Sequence, residues 1–242
     1  MKIVSLSSEP RVDLLHPSSA AAPYALCFVH GGGWRSGSPA AWHAQMRHAA
    51  AKGVVSASLG YRTGERLADL MADVSSGYRR FLAHLDASGL GDLPVVLIGS
   101  SAGAHLATLL NLTGPWDSSR APAGCVALNG PGTLKPWPDM DQDIAAAIAH
   151  LDPSLSGSPE DHVRAGAAPF LFVVVGKERF FPHEHVYALA EKLRAAGNRA
   201  RVVLLPDAEH GFFYRTDTES SQAAQAEIDA FILSVSPGTM ST

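Results

Sequence analysis

Five residues, Gly99-Ser100-Ser101-Ala102-Gly103, constrain this chain more than any others. They follow the apolar run Val95-Val96-Leu97-Ile98 and lead into the helix-forming segment Ala102 to Asn111. A Gly-x-Ser-x-Gly between a strand and a helix forces a turn so sharp that side chains on the flanking residues would collide, and it lifts the serine hydroxyl above a sheet. The spacing selects Ser101, because a turn centred on Ser100 would put Ile98 where the first small residue is needed. The same residues also read as a small-residue turn with a capping serine. Strand before and helix after favour the nucleophile.

A strand-turn-helix of this kind belongs in a parallel sheet, and the rest of the chain agrees. Strand-like runs at Ala25 to Val29, Val54 to Leu59, Val95 to Gly99, Cys125 to Leu128, Phe170 to Val175 and Arg201 to Leu205 alternate with helical segments. The helices are expected at Ala40 to Lys52, Glu65 to Leu85, Ala102 to Asn111, His183 to Ala196 and Ser220 to Leu233. Val186, Leu189, Ala190 and Leu193 recur at helical spacing, and Gly197 follows as a C-cap. This alternation predicts a mostly parallel central sheet with helices on both faces. Between residues 131 and 169 it breaks. Four prolines surround a short apolar helix near Ile144 to Leu151, which reads as an insertion over the carboxyl ends of the strands, close to the active site.

With 242 residues and 46% hydrophobic content, the expectation is one domain spanning residues 1–242. A net charge of −4 gives no electrostatic reason to propose nucleic acid or an anionic membrane as partner, so small neutral substrates are expected. Cys27 and Cys125 each lie in an apolar run and read as buried thiols. Residues 1–16 lack the continuous apolar core of a secretory leader, and no stretch approaches bilayer-spanning length. A soluble, cytoplasmic protein is the resulting expectation.

Two further segments carry chemistry. His30-Gly31-Gly32-Gly33-Trp34 follows the first long strand, and consecutive glycines let backbone N–H groups approach a ligand, as an oxyanion hole requires. A phosphate loop would need a Lys-Ser/Thr pair after the glycines, and Trp34-Arg35 supplies none. His210-Gly211-Phe212 follows the last strand and a short turn at Pro206 to Glu209. A histidine in a turn is usually a solvated side chain, but the order serine, acid, histidine is the order in which a Ser-His-acid triad is laid along one type of α/β chain. His183-Glu184-His185 lacks metal-ligand spacing, and neither metal nor cofactor is expected.

With these blocks in order, the chain resembles the α/β-hydrolase family, in particular its hormone-sensitive-lipase-like and bacterial feruloyl-esterase-like branches. His30 to Trp34, Tyr61-Arg62, Asp73-Val74, Gly99 to Ala107 and His210-Gly211-Phe212 carry the resemblance. It implies an α/β-hydrolase fold without a large cap domain. The N–H groups of Gly32, Gly33 and Ala102 are then implied as the oxyanion hole, Trp34 as a brace for the glycine loop, and Tyr61, Arg62 and Asp73 as structural supports. For Tyr61 and Arg62 a surface pair at a strand end is the alternative reading, and His105, one turn after Ser101, reads as a packing residue. The acid departs from the family pattern. After Gly176 an acid is expected where Arg179 stands, and Glu178 falls one position early. Glu178 is the first candidate, against a solvated charged turn of Lys177-Glu178-Arg179, with Asp207, Glu209 and Glu184 in reserve.

The expected activity is cleavage of a carboxylic ester, with a short or aromatic acyl group, through an acyl-enzyme on Ser101 with His210 as base. Two alternatives accompany it: an arylformamidase using the same triad, and a ligand-binding protein without catalysis on the same fold.

Overall fold

The computed structural model describes residues 2–8, 10–114 and 120–236. Eight strands form one sheet: β1 (Val4–Ser8), β2 (Arg11–Leu15), β3 (Ala25–Val29), β4 (Val55–Leu59), β5 (Val95–Ser100), β6 (Gly124–Leu128), β7 (Phe170–Lys177) and β8 (Ala200–Glu209). Their spatial order is β1-β2-β4-β3-β5-β6-β7-β8. From β4 to β8 every pairing is parallel, whereas β1 with β2 and β2 with β4 are antiparallel. The helices are α1 (His43–Ala51), α2 (Leu67–Ala87), α3 (Ala102–Thr113), α4 (Gln142–Leu151), α5 (His183–Ala195) and α6 (Glu219–Val235).

Strands β3 to β7 are buried throughout, apart from the carboxyl end of β7, and are apolar runs except for Ser56 and Ser58 of β4 and the end of β5, because helices cover both faces. Alternate side chains of β3 go to opposite sides: Ala25, Cys27 and Val29 pack with α2 to α5, whereas Leu26 and Phe28 pack with α1 and α6. Both cysteines are free and buried. Local signals end the helices as the sequence suggested, with Gly197 at a positive φ of 82° just past α5. Asp141, at the start of α4, accepts hydrogen bonds from the N–H groups of Asp143 and Ile144.

Three local expectations are corrected. The hairpin β1/β2 has no counterpart in the strand pattern, because Arg11 and Asp13 interrupt its apolar run. Asp13 is fully buried and held by Ser5, Arg11 and His43 at 2.7–2.8 Å, so a charge that argues against a buried strand is neutralised within the fold. The segment expected as a helix from Ala40 starts as a 3-10 turn, Pro39–Trp42, before α1 begins. Pro206 to Glu209 is no turn but the end of β8, whose register against β7 jumps from Val175↔Leu205 to Lys177↔Glu209. Two extra residues are thereby accommodated on β8.

Between β6 and β7, residues 131–169 carry α4 and a second 3-10 turn, Pro159–Asp161. The segment is tied to α3 by His105 Nε2 at 2.8 Å from the Gly157 carbonyl, and is closed on itself by the Leu134 N–H, which donates to Ser158 Oγ at 3.0 Å. The carboxyl ends of β3, β5, β6, β7 and β8 lead directly into His30, Ser101, Asn129, Glu178 and His210.

Candidate active site

Ser101 sits between β5 and α3 at φ 56°, ψ −124°, a conformation sparsely populated by residues with side chains. The flanking glycines explain how it is held. A Cβ on Gly99 would lie 2.2 Å from the Gly103 carbonyl oxygen, and one on Gly103 would lie 2.2 Å from that of Val29. The elbow is therefore possible only because β3, β5 and α3 approach at backbone distance.

His210 Nε2 lies 2.8 Å from Ser101 Oγ, and its Nδ1 lies 2.9 Å from both carboxylate oxygens of Glu178. These three residues are 109 and 32 positions apart in sequence. The parallel β7/β8 ladder brings the acid and the histidine together. Lys177 pairs with Glu209, so the next residue on each strand, Glu178 and His210, emerges side by side. The jump in register before that pair sets Glu178, not Arg179, next to the residue that follows Glu209. Gly176 is needed there, since a Cβ would meet the Pro206 carbonyl at 2.0 Å.

Glu178 is no solvated turn residue. Its side chain is 7% exposed, and Oε1 also accepts from the N–H groups of Arg179 and Phe180, both at 2.9 Å. Burial pushes its pKa up, but His210 and the two N–H groups outweigh burial and hold it below the ordinary glutamate value. Asp207 and Glu209 lie on β8 and Glu184 in the first turn of α5, and none of them is the carboxylate on His210.

The glycine loop runs beside the elbow. Gly32, Gly33 and Trp34 have successive positive φ values of 111°, 57° and 61°. Among the described residues, the N–H groups of Gly32 and Gly33 donate to no protein acceptor, and that of Ala102 opens α3, where N–H groups have no partner within the helix. All three sequence-predicted donors thus remain available. Trp34 is fully buried and its indole N–H donates to His105 Nδ1 at 3.2 Å. His105 in turn donates from Nε2 to Gly157, and burial lowers its pKa to about 4, so it is a neutral strut. Tyr61 is buried with its hydroxyl donating to the carbonyls of His30 and Gly31, while Arg62 grips Asp73 through Nε and Nη2. The surface-pair reading of Tyr61 is thereby corrected.

Three features escaped the sequence reading. Asn129, 3% exposed at φ 41°, places its amide nitrogen 3.3 Å from both ring nitrogens of His210, across the face of the ring. Phe180 packs edge-on against His210 at 4.7 Å between centroids, with Phe181 at 5.9 Å. The two phenylalanines and Trp137 line an adjoining crevice of about 380 Å³ that also bears Asp139 and Glu184. Tyr214, four residues after His210, accepts a hydrogen bond from the Gly31 N–H at 2.7 Å. Only the run Phe180-Phe181 carried a sequence signal, as two large aromatics next to a charged turn. Among the described residues, no group of three or more His, Cys, Asp or Glu side chains could hold a metal ion, and no helix is long and apolar enough to cross a membrane.

Comparison with known proteins agrees with this architecture. The family described as BD-FAE matches residues 12–121, and the dienelactone hydrolase family matches residues 139–234. Esterase LipC of Mycobacterium tuberculosis is 29% identical over 212 residues, covering 77% of this chain and 52% of that protein. A probable isoprenylcysteine alpha-carbonyl methylesterase of Arabidopsis thaliana, ICMEL1, is 25% identical, covering 86% of this chain and 49% of its own length. The chain spans about half the length of these curated relatives. Among solved structures, Thermogutta terrifontis esterase 2 phosphonylated by sarin superposes with a TM-score of 0.81 at 28% identity, covering 97% of this chain and 94% of that one. The propionate-bound form of the same esterase gives 0.77 at 28% identity, covering 100% and 96%. The chain has the α/β-hydrolase fold, and these similarities along its length support the carboxylesterase branch of it.

Proposed function

We propose that this protein hydrolyses carboxylic esters with short or aromatic acyl groups through an acyl-enzyme on Ser101. The observation that carries the reading is the continuous line from Ser101 Oγ to His210 Nε2, at 2.8 Å, and from Nδ1 to Glu178, at 2.9 Å. In this reading Ser101 Oγ attacks the ester carbonyl as its proton passes to His210 Nε2, and Glu178 stabilises the resulting imidazolium. The carbonyl oxygen takes on negative charge and is met by the N–H groups of Gly32, Gly33 and Ala102. Collapse breaks the bond to the alcohol, which leaves with the proton from His210. Water then repeats the sequence on the acyl-enzyme and releases the acid and free Ser101.

Support for a short acyl group comes from Thermogutta terrifontis esterase 2, whose structures were solved with propionate and with butyrate bound. Support for an aromatic group comes from Phe180 at the edge of His210 and from Phe181 and Trp137 in the charged crevice beyond it. The test is turnover of acetyl, butyryl, feruloyl and formyl-aryl substrates by the parent and by Ser101→Ala. Ester turnover that disappears in Ser101→Ala is expected. A preference for the formyl-aryl amide would make this an arylformamidase, and absence of turnover throughout would make it a binding protein.

A further inference from the structure

The glycine loop holds one residue, Gly31, with both of its backbone hydrogen-bonding groups engaged. The Gly31 carbonyl accepts from Tyr61 Oη at 3.1 Å and lies 2.8 Å from His30 Nδ1, while the Gly31 N–H donates to Tyr214 Oη at 2.7 Å. His30 is buried, stacked on Tyr61 at 4.2 Å between centroids, and held neutral. Among the described residues, the two N–H groups that follow, on Gly32 and Gly33, donate to no protein acceptor. We propose that Tyr214 is a positioning residue: its phenol, carried on the same segment as the base His210, anchors Gly31 by its N–H so that the next two N–H groups face the oxyanion.

Three consecutive glycines have little intrinsic preference for any one backbone conformation, so the loop needs something outside itself to select the conformation in which N–H groups converge. Tyr214 is placed to do this. Its hydroxyl would lie 2.9 Å from a Cβ on Gly31, a position that is also 3.1 Å from Ser101 Cβ, so phenol, loop and elbow meet at one point. The phenol is itself held firmly. Its ring packs on Trp42 at 4.9 Å, Gln45 Nε2 donates to the Phe213 carbonyl at 2.6 Å, and Ser221 Oγ donates to the Phe212 carbonyl at 3.1 Å. Burial raises the Tyr214 pKa, against the Gly31 N–H and Ser100, so the hydroxyl stays neutral in the working range. One short turn therefore ties the proton-transfer group to the charge-stabilising group.

The inference rests on the esterase reading, and the experiment separates the two. In Tyr214→Phe, kcat for a short-chain ester should fall about tenfold to a hundredfold with KM changed less than about threefold, because the loss is confined to the transition state. The ratio of kcat/KM for the ester to that for its thionoester should shrink, since sulfur is a poor acceptor and gains little from well-placed donors. The acid limb of the kcat/KM profile should stay in place. Tyr61→Phe, which frees the carbonyl of the same residue, should show the same compressed ratio, and it serves if Tyr214→Phe does not fold. Activity within about twofold of the parent, or a loss with an unchanged ester-to-thionoester ratio and a shifted acid limb, would overturn the proposal, the latter placing the phenol's effect on His210. Ester turnover that survives in Ser101→Ala would overturn the esterase reading instead.

Discussion

Replacing Glu178 by Gln tests the site most directly, because the structure specifies how the amide must sit. Oε1 of Glu178 accepts from the N–H groups of Arg179 and Phe180, at 2.9 Å each. An amide nitrogen there would oppose two donors, so the carbonyl oxygen of the glutamine takes that position. Its NH₂ group then occupies the Oε2 position, 2.9 Å from His210 Nδ1. Facing a donor, Nδ1 gives up its proton, Nε2 carries the hydrogen, and the nitrogen facing Ser101 Oγ can no longer accept one. Such a tautomer change costs up to about 10⁴ in kcat, or about 5 kcal/mol of activation free energy. Oε1 also lies 2.9 Å from Nδ1 and leaves a residual acceptor, so a loss of about 10²–10⁴ is expected. Steady-state hydrolysis of an activated ester measures it, with thermal melting as the check on the fold. Glu178 has a lowered pKa in the fold, so the stability it contributes is present above the ordinary glutamate pKa and is lost as pH falls through the folded value. The difference in melting temperature between parent and variant should accordingly narrow as the solution is acidified from neutrality to below pH about 4. Activity within threefold of the parent would refute the reasoning, and a collapse in Asp207→Asn or Glu184→Gln would place the acid elsewhere.

Ser101→Ala and His210→Ala should each lower ester turnover by about a thousandfold or more, with the double variant little worse, because such groups act as a unit; a fluorophosphonate should label Ser101 alone, and multiplicative losses would count against the arrangement. Gly103→Ala puts a methyl group 2.2 Å from the Val29 carbonyl and 2.5 Å from that of His30, both backbone atoms; overpacking of this kind costs about 1–3 kcal/mol or more and should lower the melting temperature by several degrees, which calorimetry would detect. His30 and His105 are buried with pKa values lowered to about 4; their stabilising effect is complete above the unfolded value near 6.5 and is lost as pH falls towards 4, at about 3 kcal/mol each. His105→Gln should therefore flatten the dependence of stability on pH between 6.5 and 5, and an equal slope in both proteins would contradict the assignment.

Ser101 was legible because the elbow is a local steric problem: glycines two positions on either side of a serine, between an apolar run and a helix, have few other uses. His210 followed from chain order, and the central strands from apolar runs that only a doubly covered sheet can bury. The acid was different. Glu178 and Arg179 are neighbours in one charged turn, and which of them faces His210 depends on a register jump between β7 and β8 that no residue in either strand announces. Asn129 and Tyr214 were silent for a related reason, since each acts on a residue 81 or 183 positions away. Propensity, periodicity and steric turn signals are properties of neighbouring residues, so sequence alone determined the elbow, the alternation of strand and helix, and the glycine loop. Hydrogen bonds between distant residues depend on how the sheet is assembled. The tertiary structure therefore decided which carboxylate meets His210, the neighbours of the imidazole and the partners of Gly31.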